Sequence, residues 1–237
     1  MIEAFITNLG KYNEGHLCGE DLKFPATTED VQKLLAKIGV DGVLYEEFFI
    51  TNYSLDVSIS ELHSSLGEHE NLDELNYLAA LLKELDEGEL EKFGAMVEYG
   101  EHTGSVKDLI NLAQNLDNYD YFPGVQSEED LGYYMIDELG ALEIPDHLAS
   151  YFDYEAYGRD ISLGNSGTFT NEGYIEECYG SFPEHYAGRE DLPDEHKIFK
   201  YPEPPEKMSM KERLAMYGNM VTEAHAADHR SLAYNER

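Results

Sequence analysis

The sequence predicts an α+β protein built from several small domains, and three observations carry that expectation. Strand-like stretches open the chain, a series of amphipathic helices fills its middle, and a hairpin-like pattern follows Arg159. The 237 residues hold 16 Lys and Arg against 49 Asp and Glu, a net charge of −33. Such acidity often marks disorder, but 42% hydrophobic and 12% aromatic residues are enough to build packed cores. A chain of this length could form one large domain or two to three small ones, and its internal pattern favours several.

EAFITNL (Glu3 to Leu9) and LYEEFFITNY (Leu44 to Tyr53) mix β-branched, aromatic and polar residues as strands do. Between them Thr27 and Thr28 are candidate caps for a helix with Val31, Leu34, Leu35 and Ile38 as its apolar stripe. Gly39 suits the position just past its end. This first α+β domain is taken as residues 1–62. A helical domain, 63–104, follows: Asn71 with Glu74 forms a capping-box pattern before the stripe Leu72, Leu75, Leu78, Leu82 and Leu85, and a second helix, ELEKFGAMVEYG, comes after Gly88.

The third, mixed domain is taken as 105–200. Ser105 and Asp108 begin a helix with Val106, Leu109, Ile110, Leu112 and Leu116 on one face. Ser127 and Asp130 begin SEEDLGYYMIDELG, whose Leu131, Tyr134, Met135 and Leu139 are expected inward and Glu128, Glu129, Asp137 and Glu138 outward, with Gly140 closing it. Pro145 fits the first turn of PDHLASYFDYEAYG, with Leu148, Tyr151, Phe152 and Tyr157 as burial candidates. A hairpin is then expected with Asn165 and Gly167 near its bend. The remainder, 201–237, reads as the Pro-rich connector YPEPPEK and a last helix capped by Ser209 and Glu212.

The acidity is uneven. Residues 1–206 hold 11 cations and 45 acids, a balance of −34, whereas 207–237 is close to neutral. Nine acids lie between Lys37 and Lys83 with no cation among them, and Asp108 to Gly158 contains no Lys or Arg at all. A solvated surface ordinarily intersperses both signs, and solubility asks for only about 2 to 8 net charges. Duplex DNA carries one charge per ~1.7 Å of axis, so about 33 charges at that density would trace roughly 55 Å. A carboxylate resembles a phosphate in its charge and in accepting paired hydrogen bonds from Arg.

Little else points to chemistry. His225 and His229 have the spacing of a helical metal pair, but Ala226 stands where such motifs place Glu, and an exposed pair is expected. The span Asp117 to Glu128 has the length of a calcium loop, yet Tyr119, Tyr121 and Phe122 fill positions that need oxygen ligands or Gly. No phosphate-binding loop, dinucleotide fingerprint or serine-hydrolase elbow is present. Neither catalytic residues, a metal nor a cofactor is therefore expected. Cys18 and Cys178 form no CxxC and fit a reducing cytoplasm; no signal peptide or apolar membrane span is evident, so a cytoplasmic protein without a membrane partner is expected. The eighteen tyrosines read mainly as packing residues.

At EAFITNLGKYNEG, DELNYLAALLKELDEGELEKF, SVKDLINLAQNLDNYDYFPGV and ELGALEIPDHLASYFDYEAYGRD the chain resembles the ArdA family of antirestriction proteins from conjugative elements. The resemblance implies a non-enzymatic mimic of bent B-form DNA that occupies the DNA groove of type I restriction-modification enzymes. It implies an elongated, curved homodimer with three small domains per chain, and no nucleic acid as ligand. It assigns no individual residue to the mimicry. The candidate acidic surface rests instead on cation-free intervals and helix faces: Asp73, Glu74, Glu84, Asp86, Glu87, Glu89, Glu91, Glu98, Asp108, Asp117, Asp120, Glu128, Glu129, Asp130, Asp137, Glu138, Glu143, Asp146, Asp153 and Glu155. The rival reading is an acidic scaffold or chaperone for a basic protein, in which total charge matters and spacing does not. A salt-adapted surface around an unrecognised active site is a third.

Overall fold

Alternating side chains organise the first sheet. In β1 (Ile2–Asn8) residues Ile2, Ala4 and Ile6 are fully buried, as a strand with one covered face requires. The computed structural model describes residues 1–178 and 180–203. β1 is the central strand, antiparallel to β2 (Gly19–Phe24) and to β3 (Phe48–Leu55), with a bulge between Phe5 and Ile6 on the β3 side. A short helix, α1 (Leu9–Asn13), starts the β1 to β2 connection. The buried Asn8 caps it by accepting from the Lys11 amide at 2.9 Å, and donates to the Ile38 carbonyl at 3.2 Å.

Helix α2 (Thr28–Ile38) has a reciprocal capping box between Thr27 and Asp30 and ends at Gly39 in the left-handed conformation, φ 78°. Its Val31, Leu34, Leu35 and Ile38 join the core of the sheet. A 3₁₀ segment, Val57–Ser64, leads to α3 (Leu72–Glu84) and α4 (Glu87–Tyr99). Gly94 lets α4 lie against that segment, since a Cβ there would come within 2.6 Å of the Ser58 carbonyl oxygen. Helix α5 (Val106–Ala113) buries Val106, Leu109, Ile110 and Leu112 and packs against α3.

A second antiparallel sheet has the order β4-β6-β5, with β4 Tyr119–Pro123, β5 Thr168–Phe169 and β6 Gly173–Glu177. Between β4 and β5 lie α6 (Glu128–Tyr133), a π-helical turn (Tyr134–Glu138), α7 (Asp146–Ala149) and α8 (Tyr154–Asn165). Helices α6 and α8 touch backbone to backbone through Gly132 and Gly158. A Cβ on Gly132 would strike the Tyr154 carbonyl, and one on Gly158 would strike that of Glu128. One hydrophobic core runs from the first sheet through α3, α4 and α5 to Tyr119 and Ile175. A separate cluster of Phe122, Val125, Leu131, Met135 and Tyr174 lies beneath α6 and α8.

The molecule is thus mixed α+β, as the sequence indicates, with differences that have local causes. Strands β2 and β4 were not expected, because GEDLKF and YDYFP alternate too briefly to stand out. Gly88 lies inside α4 instead of preceding it. The stretch taken as one helix after Pro145 is two, α7 and α8, and α8 continues through Asn165. The hairpin bend consequently falls at Thr170 to Glu172, not at Asn165 and Gly167; Thr170 Oγ1 donates to the Gly173 carbonyl at 2.8 Å there. The π turn takes an extra residue, so the apolar phase slips and Leu139 faces solvent. Leu148 and Tyr151, expected to be buried, are also exposed. The last helix with its Ser209 and Glu212 pattern, and His225 with His229, lie outside the described residues.

Candidate functional site: the carboxylate surface

Helix starts position many of the candidate acids. Asp86 and Glu89 form a reciprocal box at α4, while Asp108, Asp130 and Asp153 bond within the first turns of α5, α6 and α8. Asp86 and Asp153 accept from free helix amides and so are caps, whereas Asp108 and Asp130 accept from the hydroxyls of the capping Ser105 and Ser127; all four sit at the positive end of a helix dipole. The other exposed acids need no such partner: Glu84, Glu87, Glu91, Glu129, Asp137, Glu138, Glu143 and Glu155 project from the helices and the loops that join them. Asp117 and Asp120 are exposed at the start of the second sheet. Asp146 occupies the first position of α7.

Two candidates have other occupations. Glu74 is buried, 8% exposed; it accepts from the Tyr186 hydroxyl at 3.1 Å and from Arg189 Nε at 3.0 Å. It therefore does not close the capping box suggested by its spacing, and Asn71 alone caps α3. Asp73, half-buried, accepts from the amides of Ile198 and Phe199 at 2.8 and 2.6 Å. Among the described residues the only ion pairs made by the candidate acids are Glu74 with Arg189 and Glu128 with Arg159, the latter at 3.8 Å. Other cations are spent on acids outside the set, as in Lys37 with Glu20 at 2.6 Å and Lys107 with Glu184.

Several carboxylates converge where the sequence gives no hint. Glu61 of the 3₁₀ segment, Glu91 and Glu98 of α4 and Glu172 of the hairpin bend line a groove of about 370 Å³, together with Ser58, Thr170 and Asn171. Glu98 accepts from the Asn171 amide at 3.0 Å, tying α4 to the bend. Glu61 and Glu172 were missed because three separated segments meet here, and no spacing in sequence reports such a junction.

Tyrosines record the resulting field. The half-buried Tyr121 has its hydroxyl pushed up to about 12, first by burial and then by Glu91, Glu172 and Glu98. Tyr154 is raised by burial and by Asp137, and Tyr99 by burial, Glu177 and Glu101. The Cys178 thiol is pushed up to about 12, first by desolvation and then by the adjacent Asp120. No cluster of three or more metal-ligating side chains occurs among the described residues, and none of their helices is long and apolar enough to cross a membrane.

Among the described residues the surface is therefore rich in carboxylates without an ion-pair partner. A family model described as antirestriction protein (ArdA) matches residues 4–176. The chain belongs to the ArdA family. Among curated proteins none matches the sequence. Membership of the ArdA family implies antirestriction directed at type I restriction enzymes, by an inhibitor rather than an enzyme. The matched span contains α3 through α8 and every candidate acid, but stops before residues 180–203.

Proposed function

We propose that this ArdA protein inhibits type I restriction-modification enzymes by presenting carboxylates where their DNA groove expects phosphates. The observation that carries the reading is the combination of a cation-free interval from Asp108 to Gly158 with acids that are exposed along it and, among the described residues, largely without an ion-pair partner. Lys and Arg in a DNA groove read phosphates through charge and paired hydrogen bonds, both of which carboxylates supply. The enzyme is then occupied by a ligand with no scissile backbone. Restriction is blocked by competition, and many weak contacts share the energy.

On this reading the units 1–62, 63–104 and 105–200 follow one another along the mimic, and two copies extend it. Copies of such charge repel, so their contact must be apolar. Exposed apolar side chains occur around the first sheet, as at Leu17 and Val57, and in the segment from α6 to α8, as at Tyr133, Leu139, Leu142, Leu148, Tyr151 and Leu163; on this reading the second group is where a second copy docks.

Titration against a type I enzyme with its DNA as competitor tests the function. The expected result is stoichiometric displacement of DNA, and failure to displace it at any salt concentration defeats the reading. Single changes such as Glu129→Gln should alter affinity by less than about threefold, in keeping with small energies at exposed pairs. A block of Glu129→Gln, Asp137→Asn, Glu138→Gln and Glu155→Gln should lower it by roughly ten- to eightyfold, the product of four contacts of about 0.4–0.6 kcal/mol each. Loss of all binding on removal of one of these acids contradicts shared recognition. Moving the four charges elsewhere at constant total should also abolish inhibition; unchanged inhibition would favour the acidic scaffold.

A further inference from the structure

Residues 181–203 follow the second sheet with little regular structure, only the 3₁₀ turns Arg189–Asp191 and Asp194–His196. Yet they are tied to the body by specific contacts along their length. Buried Asn111 of α5 accepts from the His185 and Tyr186 amides at 2.7 and 2.9 Å and donates to the Tyr186 carbonyl at 2.8 Å. Asn115 donates to the Pro183 carbonyl at 2.8 Å. On α3, Glu74 holds the Tyr186 hydroxyl and Arg189, and Asp73 takes the Ile198 and Phe199 amides. Tyr186, Leu192 and Ile198 are buried in the main core. At the far end the Tyr201 hydroxyl donates to the Glu46 carbonyl at 2.9 Å, and Gln32 of α2 donates to the Tyr201 carbonyl at 3.0 Å.

This is how a protein reads a bound peptide. Carboxamides and carboxylates on two rigid helices satisfy the backbone of an extended segment, while spaced side chains fill apolar pockets. One further fact sets the segment apart from the body: both sheets are complete without it. We propose that the shared face of α3 and α5 is a peptide-binding groove whose occupant is this chain's own residues 181–203, a brace from the second sheet back to the first. Its anchor is Tyr186, with hydroxyl on Glu74 and backbone on Asn111. One consequence rests on the DNA-mimic reading: Asp73 and Glu74 are committed to the brace, so the surface offered to the enzyme excludes them.

The test uses the full chain with a site-specific protease sequence inserted between Gly180 and Ser181 and cleaved after folding. The fragment beginning at Ser181 should remain bound on size exclusion and be chased by a synthetic peptide of residues 181–203, but not by a scrambled peptide of the same composition. Asn111→Ala or Tyr186→Ala should speed its release by at least about tenfold, the scale of losing buried hydrogen bonds. Immediate release from a body that stays folded overturns the proposal, as does equal chase by the scrambled peptide. Unfolding of the body when the fragment leaves also overturns it, because the segment is then core and not ligand. In the uncut chain, the amides of Tyr186 and Phe199 should exchange hydrogen before those of β1; exchange only with global unfolding again counts against a groove. None of these readouts involves a restriction enzyme, so failure here leaves the antirestriction reading standing, and the converse holds.

Discussion

At the scale of single residues, the same residue type does opposite work according to what surrounds it. Glu74 and Glu84 lie on one helix, yet the first is buried against Tyr186 and Arg189 and the second is exposed. Sequence pattern alone placed both on the acidic surface, because the partners of Glu74 lie 112 and 115 residues away. Helix α8 offers a similar contrast in glycine. A Cβ at Gly158 would meet the Glu128 carbonyl and come within 2.7 Å of the Gly132 nitrogen, whereas nothing lies within 4 Å of one at Gly164. Gly158→Ala should therefore push α6 and α8 apart and destabilise by about 1–3 kcal/mol, the usual cost of overpacking. Gly164→Ala should stabilise by about 0.5–1 kcal/mol, since Gly is a poor helix residue and the space is open. Urea unfolding of the two variants checks both, and equal effects would contradict the close crossing of the helices.

At the scale of elements, helices were legible where apolar period and cap agreed. Thr27 with Gly39 bounds α2, and Ser105 and Ser127 start α5 and α6 in the structure as in the sequence. Legibility failed where length or phase gave no signal. Five-residue β4 is defined by pairing with β6 more than fifty residues on, and the π turn shifts Leu139 outward without any mark in composition. Caps also constrain how the acidic surface can be dissected. Asp86 and Glu89 close a box at α4, so Asp86→Ala should cost about 1 kcal/mol of stability together with one charge. Asp86→Asn keeps a side-chain oxygen for the Glu89 amide and should remove the charge at little cost. If thermal unfolding finds the two variants equally destabilised, the cap is not what Asp86 contributes. Neutralisation by amides, not by Ala, is accordingly the fair probe of binding at every capping acid.

At the scale of the whole molecule, a net charge of −33 acts on folding and on binding with opposite dependence on salt. Self-repulsion weakens the folded state most when screening is poor. Raising ionic strength from about 0.01 M to 0.15 M shortens the Debye length from about 30 Å to 8 Å. The melting temperature should rise over that range, and the protein should nevertheless be folded at its lower end. Binding to a cationic groove should weaken over the same range. Duplex DNA loses affinity steeply because each neutralised phosphate releases condensed counterions, about 10³–10⁵ between 50 and 200 mM salt for 6–10 contacts. The protein spreads its carboxylates over a surface at lower density and has fewer condensed ions to release. Its affinity for the type I enzyme should therefore fall with salt more gently than that of DNA, so that its advantage as a competitor grows as salt rises. Direct binding measured in parallel for protein and duplex gives both slopes. A slope of zero or a positive one for the protein would mean that charge is not the basis of recognition, and activity that rises with salt alongside the melting temperature would indicate a salt-adapted protein instead.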